Sequence, residues 1–316
     1  RFAVGADGTQ LIRPTDDFDI KYFFYALIHT NLEQFGYQRH FKLLKTKHVA
    51  WYPMPIQRKI ASILSAFDDL IENNVRRIIL ITDISKLLYF EWFIKYRFPG
   101  FQNTKLVESG TDFGRIPYGW EISRLSEISD LIIRGVTPKY KLGSKKMIIN
   151  QKANRGLLLD KTNLKELDPS LEIPQEKFAQ TKDVLLNSLG EGTIGRVHWF
   201  LDSNKYYAVD QHMTIIRSYN GKWAPLIYFY LSSEKGQSIL ESIKTGATNM
   251  TMLNISKIRN LEMLKPSPNI RDAFNDLINP LMSQKHLLET KNEYLKKQRD
   301  VLLPKMISGK LDVSSI

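Results

Sequence analysis

The chain has 316 residues and a formal net charge of +12, and 43% of its residues are hydrophobic, enough for two or more folded units with their own cores. It contains no cysteine, which excludes disulfides, cysteine-ligated zinc and thiol catalysis and favours a reducing cytoplasm. The positive charge predicts a polyanionic partner, most often nucleic acid, with an anionic membrane surface as the alternative. No apolar run approaches the roughly 18 residues of a membrane span.

Residues 1–52 alternate short apolar stretches with turn residues and end in a basic stretch over residues 39–47. This pattern predicts the C-terminal remainder of a mixed α/β domain whose beginning is absent. The first residue is Arg rather than Met, so we expect the N-terminus to be that of a fragment.

A seven-residue repeat predicts one long helix within residues 53–100. Pro53 and Pro55 mark its start, and Pro99-Gly100 marks its end. Asn74 in the repeat either fixes the register of a partner helix or is a tolerated polar defect. The repeat positions are Ile60, Phe67, Asn74, Ile81 and Leu88, with apolar residues three positions later at Ile63, Leu70 and Ile84, or four later at Leu64, Ile71, Ile78 and Trp92.

After a polar linker at 101–112, a second α/β domain is predicted for residues 113–265 and a second long helix with a C-terminal tail for 266–316. A helix is predicted from Pro225 through Ile243, and Pro280 is expected to kink or delay the second long helix. Strands are predicted at 131–133, 146–149, 183–186, 197–200 and 213–216. The second repeat is formed by Phe274, Leu281, Leu288, Leu295 and Leu302, with Leu277 and Ile278 between.

Short matches relate the two halves of the chain and indicate a duplication. They pair Phe2-Ala-Val4 with Tyr207-Ala-Val209, Phe23-Phe-Tyr25 with Tyr228-Phe-Tyr230, and the prolines at 53 and 55 with those at 266 and 268. The predicted fold is therefore α+β: a mixed α/β domain followed by a long helix, duplicated, with the two long helices paired as an antiparallel coiled coil.

A glycine-rich motif at Gly190–Gly195 satisfies the dinucleotide fingerprint, and Asp210 lies twenty residues after its first glycine. That fingerprint requires a helix to begin at the glycines. The residues that follow, 196–200, are β-branched and aromatic, so a hairpin turn between two strands is favoured over a nucleotide site.

No catalytic constellation is evident. Asp68, Asp69 and Glu72 are interpreted as a solvated helix face rather than an acid–base pair. The six histidines lack metal-ligand spacing: His29, His40, His48, His198, His212 and His286.

Several motifs, in this order and spacing, resemble the specificity subunit of type I restriction-modification enzymes across essentially the whole chain, lacking the N-terminal part of the first target-recognition domain. They are Pro55-Ile-Gln57, Glu91-Trp-Phe93, Pro117-Tyr-Gly-Trp120, Gly135-Val-Thr-Pro138, Asp183-Val-Leu-Leu-Asn187, Gly246-Ala-Thr248 and Ser308-Gly309.

The resemblance implies a non-catalytic subunit that reads part of a bipartite site in double-stranded DNA. It implies that the long helices separate two recognition domains and dock methyltransferase subunits, and through them restriction subunits. S-adenosylmethionine, ATP and Mg²⁺ are then expected in the partners and no cofactor in this chain, and truncated chains could dimerise. The alternative function is a basic coiled-coil scaffold that reads no DNA sequence.

Lysine and arginine side chains in the loops of the second domain would neutralise phosphates, while Asn and Gln pair with adenine. The alternative for any one of them is an exposed loop residue without a ligand. The predicted DNA-binding residues are Thr137, Lys139, Tyr140, Lys141, Lys145, Lys146, Asn150, Gln151, Lys152, Asn154, Arg155, Thr193, Arg196, Thr248 and Asn249.

Overall fold

The computed structural model describes residues 12–30, 44, 46–203, 207–246 and 251–314. The chain divides into two compact units, residues 1–79 with 287–316 and residues 80–286. The described α-helices are α1 (Ile20–His29), α2 (Met54–Tyr89), α3 (Ala224–Ser232), α4 (Glu234–Ser242), α5 (Ile255–Arg259) and α6 (Pro268–Ile307), and a five-residue π-helix (Phe90–Ile94) continues α2. No helix in these ranges is both long and apolar enough to cross a membrane.

In the first unit, α1 packs against the start of α2 and the end of α6. Asp19 caps α1 by accepting hydrogen bonds from the backbone N–H groups of Lys21 and Tyr22. One helical face of α1 is buried in a shared core formed by Tyr22, Tyr25, Ala26, Ile60, Ala61, Leu64, Leu303, Met306, Ile307 and Val313.

Gln57 holds the entry to α2. Its side chain is fully buried; its Oε1 accepts from the Asp19 N–H at 2.8 Å, and its Nε2 donates to the carbonyls of Asp17 and Tyr52 at 2.9 and 2.7 Å. Every polar atom of this side chain is therefore paired, as burial requires.

Within the first unit α2 and α6 run antiparallel, as predicted. Asn74 donates from Nδ2 to Asn292 Oδ1 at 2.8 Å, and Asn292 donates to the Ile71 carbonyl at 3.3 Å. Six residues earlier on α2, Asp68 pairs with Arg299, seven residues later on α6. Asn74 is thus a register-fixing residue with a buried polar partner rather than a tolerated defect.

The interpretation of Asp68 as part of a solvated helix face is wrong. Its carboxylate accepts hydrogen bonds from Tyr25 Oη and from Arg299, so it joins α1, α2 and α6 instead of lying on a solvated face.

On α2 the buried seam is formed by the repeat positions and by the residues four positions after them. The residues three positions after them were predicted to belong to the seam as well. Leu64, Ile78 and Trp92 are buried, whereas Leu70 and Ile84 are exposed and Ile63 is partly buried. Three residues turn a helix about 60° short of a full turn and four about 40° past it. The partner therefore packs on the side occupied by the residues four positions later. Ile60, Ile81, Phe274 and Leu288 are buried, while Phe67, Leu88, Leu281, Leu295 and Leu302 are partly buried. On α6, Ile278 is buried, but Leu277 is exposed.

The second unit contains the sheets. The strands are β1 (Leu106–Glu108), β2 (Arg115–Pro117), β3 (Glu121–Arg124), β4 (Ser129–Arg134), β5 (Met147–Ile149), β6 (Lys165–Glu166), β7 (Val184–Asn187), β8 (Val197–Trp199), β9 (Tyr207–Val209), β10 (Met213–Ser218), β11 (Lys244–Thr245), β12 (Met252–Leu253) and β13 (Glu262–Lys265). A four-stranded antiparallel sheet has the order β4-β10-β7-β8, and a three-stranded sheet has the order β6-β5-β9 with β5 and β9 parallel. All five predicted strands form.

Aromatic side chains from both long helices form the core beside the sheets. Phe93 meets Phe274 edge to face with ring centroids 4.8 Å apart, and Trp120 stacks obliquely on Phe98 at 4.9 Å. Trp92, part of the same motif as Phe93, is also buried here. These motif aromatics are therefore structural.

Three predicted boundaries differ in the structure. The predicted linker contains β1, which pairs with β2. The helix predicted from Pro225 to Ile243 is two helices, because Ser233 is extended and its Oγ caps α4 by accepting from the Gly236 N–H. Helix α6 runs through Pro280 without a late start; Pro280 is on the exposed face, where water can satisfy the carbonyl left without an N–H partner.

Candidate nucleic-acid interface

The turn between β9 and β10, residues 210–213, is locked by its own backbone. The Asp210 N–H donates to the Ile149 carbonyl, the Gln211 N–H to that of Val136, and the Met213 N–H to that of Asp210, at 2.8–2.9 Å. The His212 carbonyl accepts from the N–H groups of residues 188 and 189 at 2.9 and 3.0 Å. The side chains of Gln211 and His212 therefore project from a fixed frame.

Asp210 also orients the histidine of this turn. Its carboxylate is buried and accepts from both the backbone N–H and the ring Nδ1 of His212. A carboxylate on Nδ1 fixes the proton of the neutral ring there and leaves Nε2 as an acceptor.

Three further loops meet this turn. Gly135 brings the loop after β4 so close that a Cβ at this position would collide with the carbonyls of Val209 and Asp210. Asn187 donates to the Gln151 carbonyl at 2.9 Å, and Gln151 lies beside Gly190. We call the surface formed by residues 135–146, 151–156, 188–196 and 210–212 the loop face.

The glycine-rich segment is a hairpin turn, as predicted. It joins the antiparallel strands β7 and β8, and Gly190, Gly192 and Gly195 all have positive φ, which only glycine adopts readily. A strand and not a helix follows, so the segment lacks the helix N-terminus that would hold a pyrophosphate. Thr193 Oγ1 donates to the Gly190 carbonyl at 3.1 Å and Arg196 Nη2 to that of Gly192 at 3.0 Å.

The loop face is basic. Residues 131–159 contain seven Lys and Arg residues and no Asp or Glu. Lys141, Lys145 and Lys152 are exposed, and within the described ranges none of them forms an ion pair.

The other basic residues have local partners. Lys139 lies 3.3 Å from Asp168 and Arg155 lies 3.6 Å from Asp160. Lys146 donates to the carbonyls of Pro169 and Leu171. Lys146 thus ties two loops together, and Lys141, Lys145 and Lys152 remain the better phosphate candidates.

Two predicted base-reading residues are buried instead. Asn154 is fully buried and donates from Nδ2 to Asn187 Oδ1 at 2.9 Å and to the Arg196 carbonyl at 3.2 Å. Asn150 is buried, donates to the Asn163 carbonyl and accepts from two backbone N–H groups that follow it. Both amides stabilise loops, and the prediction that they reach a base is wrong.

Other predicted residues do lie on the loop face. Thr137 is exposed and Gln151 half-buried. Tyr140 is 56% exposed, and partial burial of its hydroxyl, together with the Asp210 carboxylate, raises its pKa. Thr248 and Asn249 lie outside the described residues. For all of these, contact with DNA stays a prediction.

Sequence reasoning missed Gln211 and treated His212 as one scattered histidine. An available signal was Asp-Gln-His between two apolar strands, where an Asp caps a turn and projects the next side chains. Across the described part of the chain, no group of three or more His, Asp or Glu residues could hold a metal ion.

A second surface lies on α2, within the second unit. Leu80, Ile84 and Leu87 are 61%, 49% and 59% exposed. Their spacing of four and three residues places them on one helical face, which makes an exposed apolar stripe.

The architecture has a counterpart among solved structures. The crystal structure of the S subunit of a type I restriction-modification system from M. genitalium matches 94% of this chain and 74% of its own, with a TM-score of 0.56 and 13% sequence identity. The chain has the fold of a type I specificity subunit. The resemblance predicted from the motifs is therefore confirmed at the level of the fold.

The sequence has a relative as well. The type I restriction enzyme MjaIX specificity subunit of Methanocaldococcus jannaschii is 29% identical over 271 residues, which is 84% of this chain. The chain spans 61% of the length of that relative. No protein-family model matches the chain.

Proposed function

We propose that this chain is a non-catalytic specificity subunit of a type I restriction-modification complex, reading part of a bipartite site in double-stranded DNA. The observation that carries the proposal is the loop face, where basic and polar side chains surround a turn fixed by hydrogen bonds. Such a surface supplies both requirements of sequence-specific binding, which are phosphate neutralisation and rigidly placed polar groups.

The proposal includes two kinds of partner. Methyltransferase subunits would dock on the long helices, where the apolar stripe offers contact area, and restriction subunits would join through them. Methyl transfer and ATP-driven cleavage are assigned to these partners, which would hold S-adenosylmethionine, ATP and Mg²⁺. No cofactor is assigned to this chain, and the proposal places it in the cytoplasm with the DNA that it would bind.

The test is to co-express the chain with its methyltransferase and to map methylated bases in the host DNA. One methylated motif that disappears when the chain is omitted supports the proposal. Binding of the purified complex to that motif and to a shuffled duplex is then compared at several salt concentrations. Equal affinity for both duplexes would contradict sequence reading and favour a basic scaffold protein.

A further inference from the structure

Thr137 and Gln211 form a pair that the proposed function does not specify. Thr137 Oγ1 donates to Gln211 Oε1 at 2.7 Å, and Thr137 is exposed while Gln211 is half-buried. The two residues come from different loops, 74 positions apart in the chain.

Both loops are fixed where the pair forms. The Gln211 N–H donates to the Val136 carbonyl at 2.8 Å, and the Gly135 N–H donates to that of Met213 at 3.1 Å. A side-chain hydrogen bond added to this frame restricts the Gln211 amide to one orientation before any ligand arrives. Such preorganisation lowers the entropy lost on binding.

The remaining hydrogen-bonding groups of the amide define what it can recognise. Thr137 occupies one lone pair of Gln211 Oε1, so the second lone pair can still accept a hydrogen bond. Both N–H groups of Gln211 Nε2 lack a partner in the described part of the chain. A donor and an acceptor side by side match N7 and the N6 amino group of adenine in the major groove. Guanine presents two acceptors at the same edge and cytosine a single donor, so neither matches both atoms.

The surroundings suit a duplex. Exposed Lys141 and Lys145 follow Thr137 in the same loop, and the other side chain projected by the turn is His212. Phosphate contacts on the loop would set the register of the amide on the base pairs.

We infer that Gln211 is a specificity-determining residue of this recognition domain, that it reads an adenine in the major groove, and that Thr137 is its positioning residue. The inference rests on the proposed function and deepens it by naming one base and the group that reads it.

The experiment uses the full chain assembled with its methyltransferase partner. Double-stranded DNA with a random segment of about 20 base pairs, a length that covers typical major-groove sites, is selected for binding and sequenced. For the unchanged protein we expect a motif in which one position is adenine. Gln211→Ala should make that position degenerate, a loss of roughly 5- to 150-fold in preference for a bidentate contact.

Two substitutions change the chemistry in known directions. Gln211→Glu leaves only acceptors and should move the preference from adenine to cytosine, whose N4 amino group donates. Thr137→Val removes the positioning hydroxyl and should weaken the preference for adenine without creating another, while Thr137→Ser should restore it. Lys145→Ala is the control and should lower affinity for all sequences alike.

The outcomes separate the two levels of the proposal. If the unchanged complex enriches no motif, the proposed function fails. If it enriches a motif that Gln211→Ala and Gln211→Glu leave unaltered, or alter at a base other than adenine, the inference alone is overturned. Melting temperatures identify variants that do not fold, and the exposed Thr137→Val and Thr137→Ser pair then decides the question.

Discussion

The lysines of the loop face differ in what their ammonium groups already contact, and this divides them into two roles. Lys146 holds the carbonyls of Pro169 and Leu171. Lys145 is exposed and has no ion pair within the described ranges. Lys146 therefore holds loops together, while its neighbour Lys145 is available to contact a phosphate.

We predict that Lys145→Ala weakens specific and non-specific DNA binding equally and reduces the slope of log affinity against log salt by about 0.9. The reason is that a phosphate contact releases one counterion and carries no sequence information. Fluorescence anisotropy at several salt concentrations measures the slope. Lys105→Ala, at an exposed lysine outside the loop face, is the control; equal slopes in both variants would remove Lys145 from the interface.

The sequence predicted some features of the loop face but not the roles of its buried amides. The glycine turn and the basic stretch were readable because a strand pattern and charge are local properties of the sequence. Asn154 was misread because its partners, Asn187 and Arg196, lie more than thirty residues away. Nothing local distinguishes an amide that satisfies buried groups from one that meets a base.

At the scale of elements, the pairing of α2 and α6 depends on one buried polar contact. The sequence located Asn74 in the seam, but it did not identify Asn292, because Asn292 is outside the predicted repeat positions. The structure joins the two amides at 2.8 Å.

We predict that Asn74→Ala lowers the free energy of unfolding by about 1–3 kcal/mol, since the Asn292 amide would lose its buried partner. Replacing both residues with Leu should recover much of that loss, because no polar group remains unsatisfied. Urea denaturation measures both changes. Asn73→Ala, at the exposed neighbour, should leave stability within about 0.5 kcal/mol; a loss as large as that of Asn74→Ala would show that the loss does not come from the buried amide pair.

The apolar stripe on α2 yields a prediction about assembly. Replacing Ile84 and Leu87 together with Asp should weaken association with the methyltransferase by at least about tenfold, because a charge would replace buried apolar contact. Both side chains are about half exposed in this chain, so the free energy of unfolding should fall far less than for two core positions and the subunit should stay folded. Co-purification and analytical ultracentrifugation measure the association.

Lys86→Asp places the same acidic residue on another face of α2 and is the matched control. Association that survives the double substitution, with the subunit folded, would place the docking surface elsewhere.

At the scale of the whole molecule, the two long helices were predictable because heptad repeats extend over many residues and average out local exceptions. Which side of each repeat position faces the partner helix could not be predicted, since it depends on where that helix lies. The motifs that carry the family resemblance proved largely structural: Gln57, Trp92, Trp120 and Asp183 are all buried. The resemblance therefore identifies the fold and does not specify what the loop face recognises.

If the long helices set the distance between two recognition domains, their length should set the DNA spacer. We predict that seven residues inserted after Ile78 and seven after Leu288, in a chain with both domains complete, lengthen each helix by about 10 Å. These sites lie four residues from Asn74 and Asn292, and a seven-residue insertion keeps the seam in phase. At 3.4 Å per step the gain is about three base pairs.

Those base pairs also rotate one half-site by roughly 100°, so we expect a spacer longer by about two to four base pairs with unchanged half-sites. Mapping methylated DNA from cells that carry the lengthened subunit measures it. A four-residue insertion rotates the seam and should prevent assembly. An unaltered spacer in an active complex would show that the helices do not set the distance.

The hydrogen bonds of the turn at residues 210–213 have a consequence for how this protein evolves. Its frame is made by backbone groups and by Asp210, so the side chain at position 211 contributes little to folding. A single codon change there should shift the free energy of unfolding by no more than about 1.5 kcal/mol, the net contribution of the one hydrogen bond to Thr137, while presenting a new chemical group to the ligand. Selection can therefore vary what the domain binds without first acquiring compensating mutations in the fold, and new specificities lie one substitution away from existing ones.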